Sequence, residues 1–263
     1  MSATDLITTE LTLTGRIRTA SNASFVGTIG EVSVVYKPIA GEAPLWDFPD
    51  GTLANREVAA YLVSQALGSD VVPRTWLRDG PFGPGMVQLC KEPDAEHSAV
   101  DLVETDQVPE SGWKHVIEGR DEDGRLVTLV HEDSPVLRRM AVFDLIVNNA
   151  DRKGNHILAM TDGHRYGVDH GLTFHHEHKV RTELWAFDPA CRQQTRGDRG
   201  ARRSLRSVAR DPAVSDARRA GAGGSLAALL RADGTTGRLA QTLSGTPPST
   251  TRTNRSKPGD SPK

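Results

Sequence analysis

Apolar periodicity carries this sequence as far as Phe187 and then stops. From residue 189 to 263 the chain is rich in Arg, Ser, Gly, Thr and Pro, holds one short apolar helix candidate (SLAALLRA, 225–232) and ends in TPPSTTRTNRSKPGDSPK. Such a composition buries too little apolar surface to offset the entropy of ordering a chain, so 189–263 is expected to be a mostly disordered tail. Charge divides at the same point. The tail holds 15 basic and 5 acidic residues, which leaves 17 basic and 29 acidic residues in 1–188. The core must therefore come from the first 188 residues, and 37% hydrophobic content is ordinary for a globular protein.

Several function classes are disfavoured at once. Cys90 and Cys191 are too few for a disulfide framework and lack metal-ligand spacing, which points to a reducing compartment. The segment MSATDLITTELTLTG has neither a basic n-region nor an apolar h-region, and no run approaches the roughly 18 apolar residues of a membrane span. A cytoplasmic protein without a transmembrane segment is expected. The tail arginines are suited to non-specific contact with phosphates, but they have no interleaved aromatics, so no specific nucleic-acid partner is expected.

Within 1–188 the elements alternate in a readable order. LTLTGRI, SFVGTI and EVSVVYKP are three short strand patterns, the last two separated by a Gly30-Glu31 turn. Asp50-Gly51-Thr52 has turn and N-cap chemistry, a helix is expected over 53–67, and Gly68 follows as its stop. Val71–Leu77 and Gly85–Leu89 read as strands flanking a turn at Asp79-Gly80-Pro81. Residues 91–133 read as a loop-rich acidic stretch. Ser134-Pro135 then opens a helix, VLRRMAVFDLIVNN, apolar nearly all round as a central helix would be. ILAM and RYGV form a hairpin that leads directly into Asp169-His170-Gly171. The sequence shows no internal repeats.

Phosphoryl transfer needs a cover for the nucleotide phosphates, a cation on them, a metal ligand, and a carboxylate near the attacking hydroxyl. Lys37 closes an apolar strand and Glu57 lies on the following helix, where the two can pair; a solvated strand-end lysine and a surface carboxylate are the plain alternatives. The loop carrying Ser21, Asn22 and Ser24 offers hydroxyls and N–H groups to phosphates, or is an ordinary polar hairpin loop. Asp151, backed by Arg152 at the end of the buried helix, is placed to orient a substrate hydroxyl, with a capping Asp as the rival reading. Asp169 is suited to Mg²⁺, or else is a turn-forming Asp before Gly. The order of strand Lys, helix Glu, catalytic loop, hairpin and Asp-His-Gly mirrors the order of these parts in kinases.

With VYKP (35–38), EVAAYLVSQALGSDVVPRT (57–75), MVQL (86–89), AVFDLIVNNADRKGNH (141–156) and VDHGLTF (168–174), the chain resembles the phosphatidylinositol 3- and 4-kinase-like family. The resemblance is strongest to type II phosphatidylinositol 4-kinases and a bacterial family labelled with that domain, and it spans about residues 11–185, roughly two-thirds of the chain. It implies an α+β, bilobal protein-kinase-like fold: a small antiparallel β N-lobe (1–90), a helical C-lobe (91–188) and the disordered tail. It further implies ATP with Mg²⁺ or Mn²⁺, Lys37 on the phosphates, Glu57 orienting Lys37, and Met86 to Leu89 (Gln88 and Leu89 among them) lining the adenine pocket. Asp151 would be the catalytic aspartate and Asp169 the main metal ligand.

Where the family has D-R-x-x-x-N with the Asn on a metal, this sequence places His156 in the ligand position and Asn155 one residue early. Imidazole is better suited to Mn²⁺ or Zn²⁺ than to Mg²⁺. The run His175-His176-Glu177-His178 falls in the activation segment and is read as binding no metal. The activity so implied is ATP-dependent transfer of a γ-phosphoryl group to a hydroxyl of a lipid, small molecule or protein. The alternative is a pseudokinase, a nucleotide-binding regulatory module without transfer.

Overall fold

The computed structural model describes residues 3–187 apart from Thr19, Asp50, Thr52 and Trp185. The 189–263 tail with its 225–232 helix candidate, Cys191, and the expected cap residues Asp50 and Thr52 lie outside the described residues. The described chain is a mixed α+β structure with three antiparallel sheets and few helices. Among the described residues, no helix is long and apolar enough to cross a membrane.

The largest sheet has five strands: β1 (Leu11–Arg16), β2 (Phe25–Ile29), β3 (Val32–Pro38), β4 (Thr75–Gly80) and β5 (Gly83–Leu89), in the order β1-β2-β3-β5-β4. Gly30, at φ 60°, supplies the left-handed residue that the β2–β3 turn needs. Alternation along β3 sends Val34 and Tyr36, both fully buried, into a cluster with Leu11, Ile29 and Val87. Lys37 is thereby turned to the opposite face. There lies α2 (Leu53–Ala66), with Glu57 within reach. A short unforeseen helix, α1 (Ala3–Thr8), adds Leu6 to the cluster and is held by Arg78, whose Nη1 donates to the Leu6 and Thr9 carbonyls.

Both ends of α2 are capped. The Glu42 carboxylate accepts from Leu53 N (3.1 Å) and Ala54 N (2.8 Å), a pairing that favours a helix N-terminus. At the other end Gly68 (φ 61°) closes a Schellman motif, its N–H donating to Gln65 O and the Ser69 N–H to Ser64 O. The helix stops one residue earlier than expected, at Ala66.

The strand expected over 71–77 begins only at Thr75. Val71 and Val72 donate their N–H groups to Ser64 Oγ, and Pro73 has no N–H to give a ladder. The turn expected at Asp79-Gly80-Pro81 sits further on, at Pro81-Phe82, because Gly80 and Gly83 are the last paired residues.

The larger difference concerns 91–133 and the expected helical C-lobe. In place of loops the chain forms β6 (Val100–Glu104), β7 (Trp113–Arg120) and β8 (Leu126–Glu132), in the order β6-β8-β7. After residue 90 the sole described α-helix is α3 (Pro135–Val147). Strands β6 and β7 both lie at edges and are largely exposed, so the apolar alternation that marks a half-buried strand is missing from their sequence.

Helix α3 begins as expected. Ser134 Oγ accepts from Leu137 N (3.1 Å) with Pro135 at the first helical position, and Asn148 closes the helix in the left-handed region. Leu137, Met140, Phe143 and Val147 of α3 share one buried cluster with Ala60 and Val63 of α2. The chain then forms the hairpin of β9 (Ile157–Ala159) and β10 (Arg165–Gly167). Gly167 N donates to Val71 O and Asp94 N to Ala159 O, so the hairpin is tied to the segments that precede β4 and follow β5 in the large sheet.

Ser134→Ala removes the α3 cap and is expected to cost about 1 kcal/mol of unfolding free energy in urea titrations. An unchanged midpoint and slope would contradict that role for Ser134.

Candidate functional site

Three sequence-distant residues meet where the large sheet, α2 and the residues after β10 converge. Lys37 Nζ lies 2.7 Å from Glu57 Oε1 and 2.8 Å from Asp169 Oδ1. The other Glu57 oxygen accepts from the backbone N–H of His170 at 2.8 Å. Glu57 is buried, Lys37 mostly so, while Asp169 is about half exposed. Asp169 takes the left-handed conformation (φ 59°). Burial alone would lower the Lys37 ammonium's pKa, but the Glu57 and then the Asp169 carboxylates more than offset it and hold it above its usual range. For Asp169 burial pushes upward, yet Lys37, followed by His156 and Lys153, keeps the carboxyl below its usual range.

One cation against two carboxylates leaves the cluster net negative, and His156 completes it. Its Nδ1 lies 3.1 Å from the Asp151 carbonyl. A carbonyl can only accept, so in the neutral ring Nδ1 carries the hydrogen and Nε2 presents a lone pair. That nitrogen lies 3.5 Å from Asp169 Oδ2. A metal-binding imidazole characteristically donates its second N–H to a backbone carbonyl in this way. His156 and Asp169 therefore fit a divalent ion, whereas Asn155 is exposed on the intervening turn.

Asp151 is one-third exposed; one carboxylate oxygen accepts from Lys153 Nζ at 2.9 Å, and its backbone N–H donates to Asn149 Oδ1. Arg152, expected beside it as a catalytic group, is fully buried and faces inward, away from any place where substrate could touch it. Its guanidinium binds Asp144 through two bonds, Nε to Oδ2 (2.9 Å) and Nη2 to Oδ1 (2.8 Å). Asp144 was not foreseen; the signal available was an isolated acid within the apolar run AVFDLIV.

His170 Nε2 accepts from Arg152 Nη2 at 2.7 Å, which puts the ring hydrogen on Nδ1, a buried atom without a partner. Burial, reinforced by the charges of Arg152, Lys37 and His156, drives the His170 pKa well below its usual value.

The remaining expected nucleotide contacts are less open. Asn22 Oδ1 accepts from Ala43 N, Ser24 Oγ is buried and donates to Asn22 O, and Ser21 is exposed. Gln88 shares the Lys37 face of the sheet, but its amide donates to Thr75 Oγ1 (2.8 Å). Leu89 turns to the opposite face and packs with the Val34 cluster.

His175, His176 and Glu177 bring possible ligand atoms within 4.8 Å of one another. Both ring nitrogens of His175 are committed, however: Nε2 donates to Asp47 O and Nδ1 accepts from Glu177 N. The same stretch is strapped to the end of α3 by Asn148, which donates to the His175 and Glu177 carbonyls and accepts from Lys179 N.

No family model matches the sequence. Protein Rv2133c of Mycobacterium tuberculosis (strain ATCC 25618 / H37Rv) is 54% identical over 191 residues, covering 68% of this chain and 68% of that protein. Among solved structures, the Helicobacter pylori proinflammatory kinase CtkA aligns over 91% of this chain and 92% of its own, at 11% identity and a TM-score of 0.38, a superposition too loose to argue from. The chain belongs to the family of Protein Rv2133c.

Below about pH 6.5 an unfolded histidine binds a proton that buried His170 refuses until far lower pH. The unfolded state thus holds more protons in that window, and His170 subtracts stability as pH falls through it. His170→Asn, whose side-chain oxygen can still accept from Arg152, is expected to lose less stability than wild type between pH 7.5 and 5.5 in urea titrations. Equal losses would contradict this account of His170.

Proposed function

We propose that this member of the Rv2133c family binds a nucleoside triphosphate with a divalent metal ion and transfers the γ-phosphoryl group to a hydroxyl. The observation that carries the reading is the Lys37–Glu57–Asp169 cluster with the His156 lone pair beside it. Phosphoryl transfer relies on positioning and charge compensation more than on covalent participation of the protein, and this cluster is built from the groups such compensation uses. A bilobal kinase-like arrangement, with the five-stranded sheet and α2 above and α3 with the β9–β10 hairpin below, is the fold reading that goes with it.

Each residue has a distinct part. Lys37, pinned by Glu57, holds its ammonium toward the phosphates. Asp169 and His156 would hold Mg²⁺ or Mn²⁺, which would neutralise charge on the phosphate oxygens. Asp151 orients the acceptor hydroxyl and takes its proton as oxygen bonds to the γ-phosphorus and the bond to the nucleoside diphosphate breaks. Asn149 steadies Asp151 through its backbone N–H. One feature favours the second reading, a nucleotide-binding module without transfer: Lys153 pairs with one Asp151 oxygen and draws on the negative charge that would take up a hydroxyl proton.

Calorimetric titration of the full chain with a non-hydrolysable ATP analogue is expected to show binding in Mg²⁺ or Mn²⁺ that EDTA abolishes, and Asp169→Ala is expected to weaken it at least about 10-fold. Asp151→Asn should bind the analogue normally and lose about 100-fold or more of any ATP-dependent product formation, followed by mass spectrometry. Binding indifferent to metal and to Asp169 would overturn the reading. Tight metal-dependent binding with no phosphorylated product from any hydroxyl acceptor would favour the second one.

A further inference from the structure

Arg152 is the bulkiest of the fully buried side chains among the described residues, and all five of its N–H donors have acceptors. Two go to the Asp144 carboxylate and one to His170 Nε2. The remaining pair reach the carbonyls of His156 (3.3 Å) and Val168 (3.2 Å). These acceptors are not scattered. One belongs to His156 itself, and the other two, on Val168 and His170, bracket Asp169 in the chain.

The backbone is shaped to admit this fork. Val168 N donates to His156 O, so the two ligand-bearing segments are joined to each other as well as to the guanidinium. Gly167 completes the fit, because a Cβ there would lie 2.9 Å from Arg152 Nη2. Asp144 in turn is anchored on α3 and accepts from Asn149 Nδ2 (2.9 Å), the residue that holds Asp151.

We propose that Asp144 and Arg152 form a positioning pair that fixes the separation of His156 Nε2 and Asp169 Oδ2, and thereby sets the affinity and choice of the divalent ion. This rests on the metal reading of those two residues given above. Every donor of a buried guanidinium needs an acceptor, and the acceptors this fold supplies belong to His156 and to the two residues that flank Asp169. Arginine is required because a lysine ammonium is a point donor and cannot span the Asp144 carboxylate, the His170 ring and two carbonyls at once. Mg²⁺ demands near-ideal octahedral geometry, so loosening the site weakens Mg²⁺ more than Mn²⁺.

The test measures free Mn²⁺ by electron paramagnetic resonance in titrations of the full chain, with Mg²⁺ as competitor and the thermal midpoint recorded for each variant. Arg152→Lys keeps a cation against Asp144 and is expected to stay folded, bind Mn²⁺ about 10- to 100-fold more weakly, and lose more affinity for Mg²⁺ than for Mn²⁺. If Arg152→Lys fails to fold, the double variant Asp144→Leu with Arg152→Met removes both buried charges together and is expected to show the same metal defect in a folded chain. Wild-type Mn²⁺ affinity and Mg²⁺ competition in either folded variant would overturn the proposal. Absence of Mn²⁺ binding by the wild type would instead sink the metal reading on which it depends, and the two failures are told apart by which protein shows them.

Discussion

Glu57 uses its two carboxylate oxygens for different tasks, and the arrangement of the molecule follows from that division. One oxygen holds Lys37 at the end of β3, and the other holds the backbone at His170, immediately after Asp169. A sheet, a helix and the segment after the β9–β10 hairpin are thus joined by a single buried anion. Removing a partner from a buried charge pair leaves the other charge uncompensated, commonly at a cost of about 3–5 kcal/mol, so neither side of the contact is lost without penalty. Arg56, one residue before Glu57, repeats the tie by donating to Thr173 O at 2.6 Å. Helix α2 is therefore bolted to the same segment at two adjacent positions.

Beneath that contact lies a second polar layer of a different character. Asp144, Asn149, Arg152 and His170 are all buried, and apart from His170 Nδ1 their side-chain groups find partners. Buried polar networks of this kind are demanding, since each unmet group is penalised in low dielectric, and they hold the backbone to one geometry in return. The groups facing outward from it are Asp151, His156 and Asp169. A rigid inner layer supporting a partly exposed outer set of carboxylates and an imidazole is the arrangement that metal and phosphate chemistry requires.

What the sequence discloses follows from local signals. The β2–β3 and β9–β10 hairpins, the Ser134-Pro135 helix start and the Gly68 stop each have compact residue signatures, and the ordering of Lys37, Glu57 and Asp169 points to the contact that these three make. Strands β6 and β7 carry no such signature because, apart from buried Val100, their side chains are exposed or half-buried, which leaves little alternation to read. The part played by Arg152 was hidden for another reason. Its neighbour Asp151 faces solvent while Arg152 points inward, and nothing in the text DRKGNH distinguishes the two directions. Asp144 is a single acid within an apolar helix, and its partner is eight residues away in a different segment. That His156 and not Asn155 lies beside Asp169 depends on a turn at Gly154–His156 that sequence spacing alone does not specify.

The central claim is that Asp169 and His156 hold one divalent ion beside phosphates contacted by Lys37. Anomalous diffraction at the manganese edge, from crystals grown with Mn²⁺ and a non-hydrolysable ATP analogue, tests it directly. The account predicts a manganese peak within coordination distance of Asp169 Oδ2 and His156 Nε2, with the triphosphate on the Lys37 ammonium. A manganese peak coordinated elsewhere, or nucleotide bound away from Lys37, would contradict it.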